Sequence, residues 1–496
     1  MPRIRWILCL VGLSLQASAA SAQADLSTQR ADWQADFEQL KIALEQRDPN
    51  LAWLGSPQSG VDLPVLYRKT SKRLAEAHSE DEAAEIIDHF VKSLRDGHLS
   101  QLTRLAPSQG LAPEPEKPEL DPDDPVTGCA VLGFSSSSRV GFSLPFSSLR
   151  GFRLLTDGQS SPFQTAIMDM PEGGHIAILR IERFRPAAFP SVCLEAWTDL
   201  QDKGGPLGWD DLRQAAQTRW LDDLAARLRT LQQGGARALI IDVGDNPGGN
   251  DTGDWVARML TNKEVSSSRL YVSTSADGVA YLDEVLSDLA EALKDAGNSV
   301  DQTALRQTVD LFTTRKAAAV KTHCDLSWVW TEQRPWDPAA CNNIVAAGFA
   351  SGPLANFPAD VSEKPAQALF WPSRVAATQG AWTGPVYVLT DHKTYSSAEM
   401  FTAIVQDNGI ARILGQRTGG DGCGFMSDPT PLQLTHLKMR FRIPNCLRLR
   451  KDGTNEIAGI SPDIAILPTE AESPAARAAR TLEAIRADLA QRTMER

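Results

Sequence analysis

Residues Gly384–Gly409 read "GPVYVLTDHKTYSSAEMFTAIVQDNG". The first part, through Thr390, is a short apolar run rich in β-branched and aromatic residues, which predicts a buried strand. The second part places Met400, Phe401, Ile404 and Val405 on one helical face, with Gly409 as the stop. Strand, turn and helix in succession point to an α/β fold. The turn carries two adjacent serines, Ser396 and Ser397. A serine hydroxyl is a weak nucleophile unless a base takes its proton and donors meet the oxyanion. The start of a helix supplies free N–H groups and the positive end of a dipole. The same letters also fit a helix cap in which Glu399 reaches back.

A second segment upstream has a matching form. "ARALIIDVGDNPGGND" predicts a buried strand over Ala238–Val243 and then a glycine loop, followed by the helix-like "DTGDWVARML". Glycine lets a bare backbone N–H approach a ligand closely. The loop lacks the lysine of a phosphate-binding P-loop and the spacing of a dinucleotide fingerprint. "HIAILRIERF" and "GISPDIAIL" predict further core strands on either side.

These four segments, in this order, resemble the C-terminal-processing, or tail-specific, serine proteases. The resemblance spans about residues 175–265 and 380–468, and more weakly the helical region before His98. It implies an α/β fold with a ClpP/crotonase-like ββα superhelix core and an N-terminal helical domain. The family's serine precedes the helix phenylalanine by five residues, which makes Ser396 the nucleophile here. The next residue, Ser397, would give one oxyanion-hole N–H and Gly249 the other, with Gly248 as the neighbouring alternative. The bacterial branch of the family places a lysine base about 25 residues after its serine; here that position is Asp421, and no lysine lies between Ser396 and Lys438. The PDZ-lacking branch typified by the tricorn core protease uses histidine and glutamate instead. By that likeness "RDGHLS" gives His98 as the base, and "NEIAGISPD" gives Glu456 as the group that orients it. His392, four residues before Ser396, is the rival base. Asp407 matches an acid of the lysine branch and is expected to be structural. Residues 128–175 lack the carboxylate-binding glycine loop of a PDZ domain.

The remaining features set the context. The chain has 496 residues, 42% of them hydrophobic, and a net charge of −12. That composition suits a globular protein with a sizeable core and argues against a nucleic-acid partner. Arg3, Arg5, the apolar "WILCLVGLSL" and the small residues Ala20–Ala22 form a secretory signal, too short to span a bilayer. Removing it leaves Cys129, Cys193, Cys324, Cys341, Cys423 and Cys446, an even set that predicts disulfides in an exported chain. Sequence neighbours are expected to pair: 129 with 193, 324 with 341, and 423 with 446. Histidines and cysteines do not cluster as metal ligands, and the expected chemistry needs no metal or other cofactor.

The expected organisation is a signal peptide over 1–22, a helical domain over 23–105 and a Pro/acid-rich linker over 106–127. A small β region over 128–175 and a catalytic core over 176–468 follow. The core holds an insertion at about 262–380, and 469–496 form a charged surface helix. Trp328, Trp330 and Trp336 of the insertion are expected either to face substrate or to form its own small core. The predicted function is an exported serine hydrolase, periplasmic or secreted, acting as a peptidase on a peptide or protein without stable membrane insertion. An esterase using the same site and a non-catalytic binding protein on the same fold are the alternatives.

Overall fold

The computed structural model describes residues 8–103, 119–134, 140–159, 161–204, 207–349, 358 and 360–494. Most of the predicted linker, residues 106–118, lies outside them. A helix over Leu8–Arg47 runs through the latter part of the predicted signal. No helix among the described residues is long and apolar enough to cross a membrane.

Seven strands form the central sheet: β1 (Phe152–Thr156), β2 (Phe163–Asp169), β3 (His175–Ile181), β4 (Leu239–Asp242), β5 (Val386–Thr390), β6 (Ala411–Gly415) and β7 (Ile464–Ala465). They lie side by side in chain order. β1, β2 and β3 pair antiparallel, and β3 through β7 are parallel. The sheet therefore crosses the boundary expected at residue 175: the small β region is its antiparallel edge.

Alternation along the strands divides the core. Ala177, Leu179, Ile241, Val388 and Ile413 face one layer with the helices Trp209–Gln233 and Ser397–Asp407. Ile176, Ile178, Ile240, Tyr387 and Leu414 face the other. That second face is covered by the C-terminal helix Pro474–Met494, through Ala478, Leu482 and Ile485. The Tyr387 hydroxyl donates to Asp488 at 2.6 Å. A helix expected on the surface thus covers one face of the sheet. The reason is that parallel strands need an apolar partner on both faces.

The N-terminal helices Leu63–Glu76 and Glu80–Ser93 pack with Leu8–Arg47 around Phe37, Leu44, Ile87 and Phe90. Ser79 caps the second of these, accepting from the Glu82 N–H at 3.2 Å. The insertion contains two long helices, Ala276–Asp295 and Ser299–Lys321, packed on each other. Its tryptophans neither form a core of their own nor face open solvent as a group. The Trp330 indole N–H donates to Glu45 Oε1 at 2.6 Å, and its ring packs near Tyr67 and Phe90. Trp336 packs edge-on against Trp53. These rings fasten the insertion to the helical domain.

All three expected disulfides are present: Cys129–Cys193, Cys324–Cys341 and Cys423–Cys446. The third does not join hairpin neighbours. Cys446–Leu449 is a strand of a separate three-stranded sheet, with Arg269–Ser273 and Ile344–Ala346.

Candidate active site

Two strand-ending loops meet beneath Ser396. The Tyr395 N–H donates to the Asn246 carbonyl at 2.9 Å, and the Thr394 hydroxyl to the Val243 carbonyl at 2.9 Å. Ser396 itself sits at φ 53°, ψ −117°, a conformation that costs a non-glycine residue roughly 1–3 kcal/mol. The sharp turn keeps it partly exposed at the helix start. Ser397 is different: it is 3% exposed, and its hydroxyl donates to the Asn250 carbonyl. Of the two serines, Ser396 is the one whose hydroxyl donates to no group among the described residues, its oxygen facing the Glu399 N–H as a helix cap.

The glycine loop of β4 lies alongside. Gly248 has φ +98°, and a Cβ there would come within 2.6 Å of the Ser396 Cβ. Its N–H is taken by Asn246 Oδ1 at 2.8 Å. Gly249 bridges to Phe184, with bonds from the Phe184 N–H to the Gly248 carbonyl and from the Asn250 N–H to the Phe184 carbonyl. That pattern turns the Gly249 N–H away from Phe184. Among the described residues neither the Gly249 nor the Ser397 N–H has a hydrogen-bond partner. Of the two glycines that the sequence left open, Gly249 is the one with a free donor.

Glu399 organises the site more than its role as a cap suggested. It is fully buried. Its Oε2 accepts from the N–H groups of Ser396, Asp421 and Gly422, at 3.0, 2.8 and 3.0 Å. Its Oε1 accepts from the Thr418 hydroxyl at 2.6 Å and the Gly420 N–H at 2.7 Å. Burial pushes this carboxyl up to about 7, against the pull of the Thr418 and backbone hydrogen bonds. One side chain therefore holds both the backbone of Ser396 and the turn Thr418–Gly422.

That turn also receives His98. The Glu80–Ser93 helix stops early, at a left-handed Arg95. Ser100–Leu102 then pairs antiparallel with Arg440–Arg442, carrying His98 onto the core. His98 Nδ1 lies 3.0 Å from the Asp421 carbonyl oxygen, and the Gly97 N–H donates to Asp421 Oδ1 at 2.9 Å. A carbonyl only accepts, so Nδ1 carries the proton and Nε2 is left as the basic nitrogen. A Cβ at Gly424 would lie 2.3 Å from the His98 ring, so glycine is required against that face.

Glu456 is also fully buried, and its described bonds run elsewhere. Oε1 accepts from the Ser268 hydroxyl at 2.5 Å, and Oε2 from Arg448 Nε at 2.7 Å. Arg448 Nη2 in turn donates to the Gly422 carbonyl at 3.0 Å. Among the described residues no hydrogen bond joins Glu456 to His98. Its link to the imidazole runs through Arg448 and the turn. Neither Glu399 nor Arg448 was assigned a catalytic part from the sequence. The one cue was an arginine inside the apolar run "CLRL", which must find a buried partner. His392 is exposed, and Asp407 is held by Arg450.

Beneath His98 lies a pair of buried acids. Asp96 Oδ1 accepts from the His98 N–H at 2.9 Å, and Asp48 Oδ1 from the Asn50 N–H at 2.8 Å. Among the described residues Asp48 Oδ2 has no hydrogen-bond partner. Burial raises both carboxyls, and the charge of Asp48 raises Asp96 further. A raised carboxyl contributes stability below the ordinary aspartate range and loses it as pH climbs toward neutrality. Wild type should therefore lose stability between pH 5 and pH 8 relative to Asp48→Asn, by on the order of 2 kcal/mol. Thermal unfolding of both proteins at the two pH values checks this; parallel curves would refute it.

The Cys423–Cys446 bridge spans 23 residues and 5.5 Å between Cα atoms. It ties the turn that holds His98 to the strand that carries Arg448. Closing such a loop is worth roughly 3 kcal/mol in the chain-entropy model. Selective reduction should lower activity before the protein unfolds, as followed by peptidase rate and near-UV dichroism together. Simultaneous loss of both signals would show that the bridge serves the global fold instead.

Residues 175–466 match peptidase family S41. No curated protein matches the chain by sequence. Among solved structures, mature CPAF complexed with lactacystin is 13% identical, with a TM-score of 0.51, covering 94% of this chain and 99% of that one. Mature CPAF alone is 15% identical, with a TM-score of 0.50, covering 92% and 96%. The tricorn protease is 11% identical, with a TM-score of 0.29, covering 86% of this chain and 34% of that one.

Proposed function

The chain belongs to peptidase family S41, and from that premise we propose an exported serine peptidase that works through an acyl-enzyme on Ser396. One observation carries the reading. Glu399 Oε2 binds the N–H groups of both Ser396 and Asp421, and the Asp421 carbonyl faces His98 Nδ1. Ser396 and the imidazole are thus linked through Glu399 and the one residue Asp421.

In the proposed reaction His98 Nε2 takes the Ser396 proton as Oγ adds to the substrate carbonyl carbon. The oxygen that becomes negative lies between the Gly249 and Ser397 N–H groups, which have no other partner among the described residues and so need no reorganisation. Collapse breaks the C–N bond, and His98 returns the proton to the departing amine. Water then attacks the ester, again giving its proton to His98, which passes it back to Ser396 as the acid leaves. Asp421 sets the tautomer of the imidazole. Glu456 acts as a positioning residue, neutralising Arg448 so that the latter can hold the Gly422 carbonyl.

Export is supported by the N-terminal signal pattern and by three disulfides, which persist in oxidising compartments. The test is fluorophosphonate labelling of the mature protein, with the modified residue mapped. Label on Ser396 is the expected result. Absence of label across mildly acidic to mildly basic pH would overturn the assignment. Parallel turnover of matched amide and ester substrates separates peptidase from esterase.

A further inference from the structure

A cavity beside the proposed oxyanion hole is walled by Trp255, Phe370, Trp371 and Met400, with Asp251 and Tyr281 also lining it. We propose that it receives the side chain of the residue whose carbonyl Ser396 attacks, and that Asp251 and Tyr281 select lysine there. The inference rests on the peptidase reading of Ser396 and adds the substrate class.

Position is the first ground. Asp251 follows Asn250, whose carbonyl accepts the Ser397 hydroxyl, and stands two residues after Gly249. Met400 lies one helical turn beyond Ser396, its N–H donating to the Ser396 carbonyl at 3.0 Å. The two segments that would grip the carbonyl oxygen therefore also form the cavity wall.

Charge is the second. Asp254 is paired with Arg258 at 2.8 Å, and Arg448 with Glu456 at 2.7 Å. Among the described residues Asp251 has no ion-pair partner; burial raises its carboxyl, and the charge of Arg448 across the cavity pulls it back. Tyr281 is only 3% exposed, yet among the described residues its hydroxyl has no hydrogen-bond partner. Burial raises the Tyr281 phenol, and the charge of Asp251 raises it further, which places the two groups within each other's field. An unpaired buried polar group calls for an explanation, and an ammonium supplies one. It can donate to the carboxylate and to the phenol oxygen at once, while the indole and phenyl walls favour a cation.

Size is the third. The free space is about 70 Å³. At roughly 10–15 Å³ for each water-sized atom, that holds about five to seven heavy atoms, enough for lysine from Cβ to Nζ.

The test uses the mature full-length protein and aminomethylcoumarin peptides that differ only in lysine, norleucine or arginine before the scissile bond. Wild type should prefer lysine to norleucine by at least about tenfold in kcat/KM. Asp251→Asn should bring that ratio to about one. Tyr281→Phe, which keeps the volume, should lower it several-fold and serves if Asp251→Asn fails to fold. Label on Ser396 with no lysine preference, or a ratio unchanged in both variants, overturns the pocket assignment and leaves the peptidase reading standing. No label on Ser396 of wild type overturns the peptidase reading itself, and the assignment with it.

Discussion

Ser396→Ala and His98→Ala are each expected to lower peptide hydrolysis by roughly 10⁴-fold or more, and the double variant by little beyond that. Nucleophile and base act as one unit: without the imidazole the hydroxyl keeps its proton, and without the hydroxyl the imidazole has nothing to activate. The geometry adds a finer expectation. Because Nδ1 faces the Asp421 carbonyl, replacing His98 by Asn leaves that hydrogen bond but no base, so it should be as inactive as Ala while restoring fold stability. Initial rates on a fluorogenic peptide decide the matter. Near-wild-type turnover in His98→Ala would move the role to another base, with exposed His392 the first to examine.

Glu399→Gln is expected to have the second largest effect. The carboxylate accepts five hydrogen bonds, four of them from backbone N–H groups. A carboxamide offers one oxygen and one NH₂, and the NH₂ must face donors whichever way it turns. At least two buried donors, the Gly420 N–H and the Thr418 hydroxyl, then lose their acceptor, at about 1–3 kcal/mol each. The cost falls on the turn that fixes Ser396 and His98, so turnover should drop by about a hundredfold or more. Thermal unfolding should show a lowered midpoint with the transition still cooperative. Unchanged turnover would mean that the turn Thr418–Gly422 is held by other contacts.

Much of this arrangement was legible in the chain. The strand over Val386–Thr390 and the helix over Ser397–Asp407 follow from apolar spacing, a local property that packing had no cause to override. The glycine loop after β4 was legible for the same reason, and the three disulfides join cysteines adjacent in sequence order. Resemblance alone favoured Gly249 over Gly248, and what frees its N–H was not legible. It turns on the Asn246 side chain taking one N–H and the Phe184 bridge turning the other.

The sequence by itself determined the main core strands, the helix after Ser396 and the residue types able to do acyl transfer. Only the tertiary structure decided which buried polar groups satisfy one another. Glu399 and Asp421 are 22 residues apart, and His98 meets Asp421 across 323. Glu456 meets Arg448 from only eight residues away, yet on a different element. No periodicity encodes such meetings. A buried carboxylate takes whichever donors the packed backbone brings within reach, because leaving either side unpaired costs more than any local preference is worth.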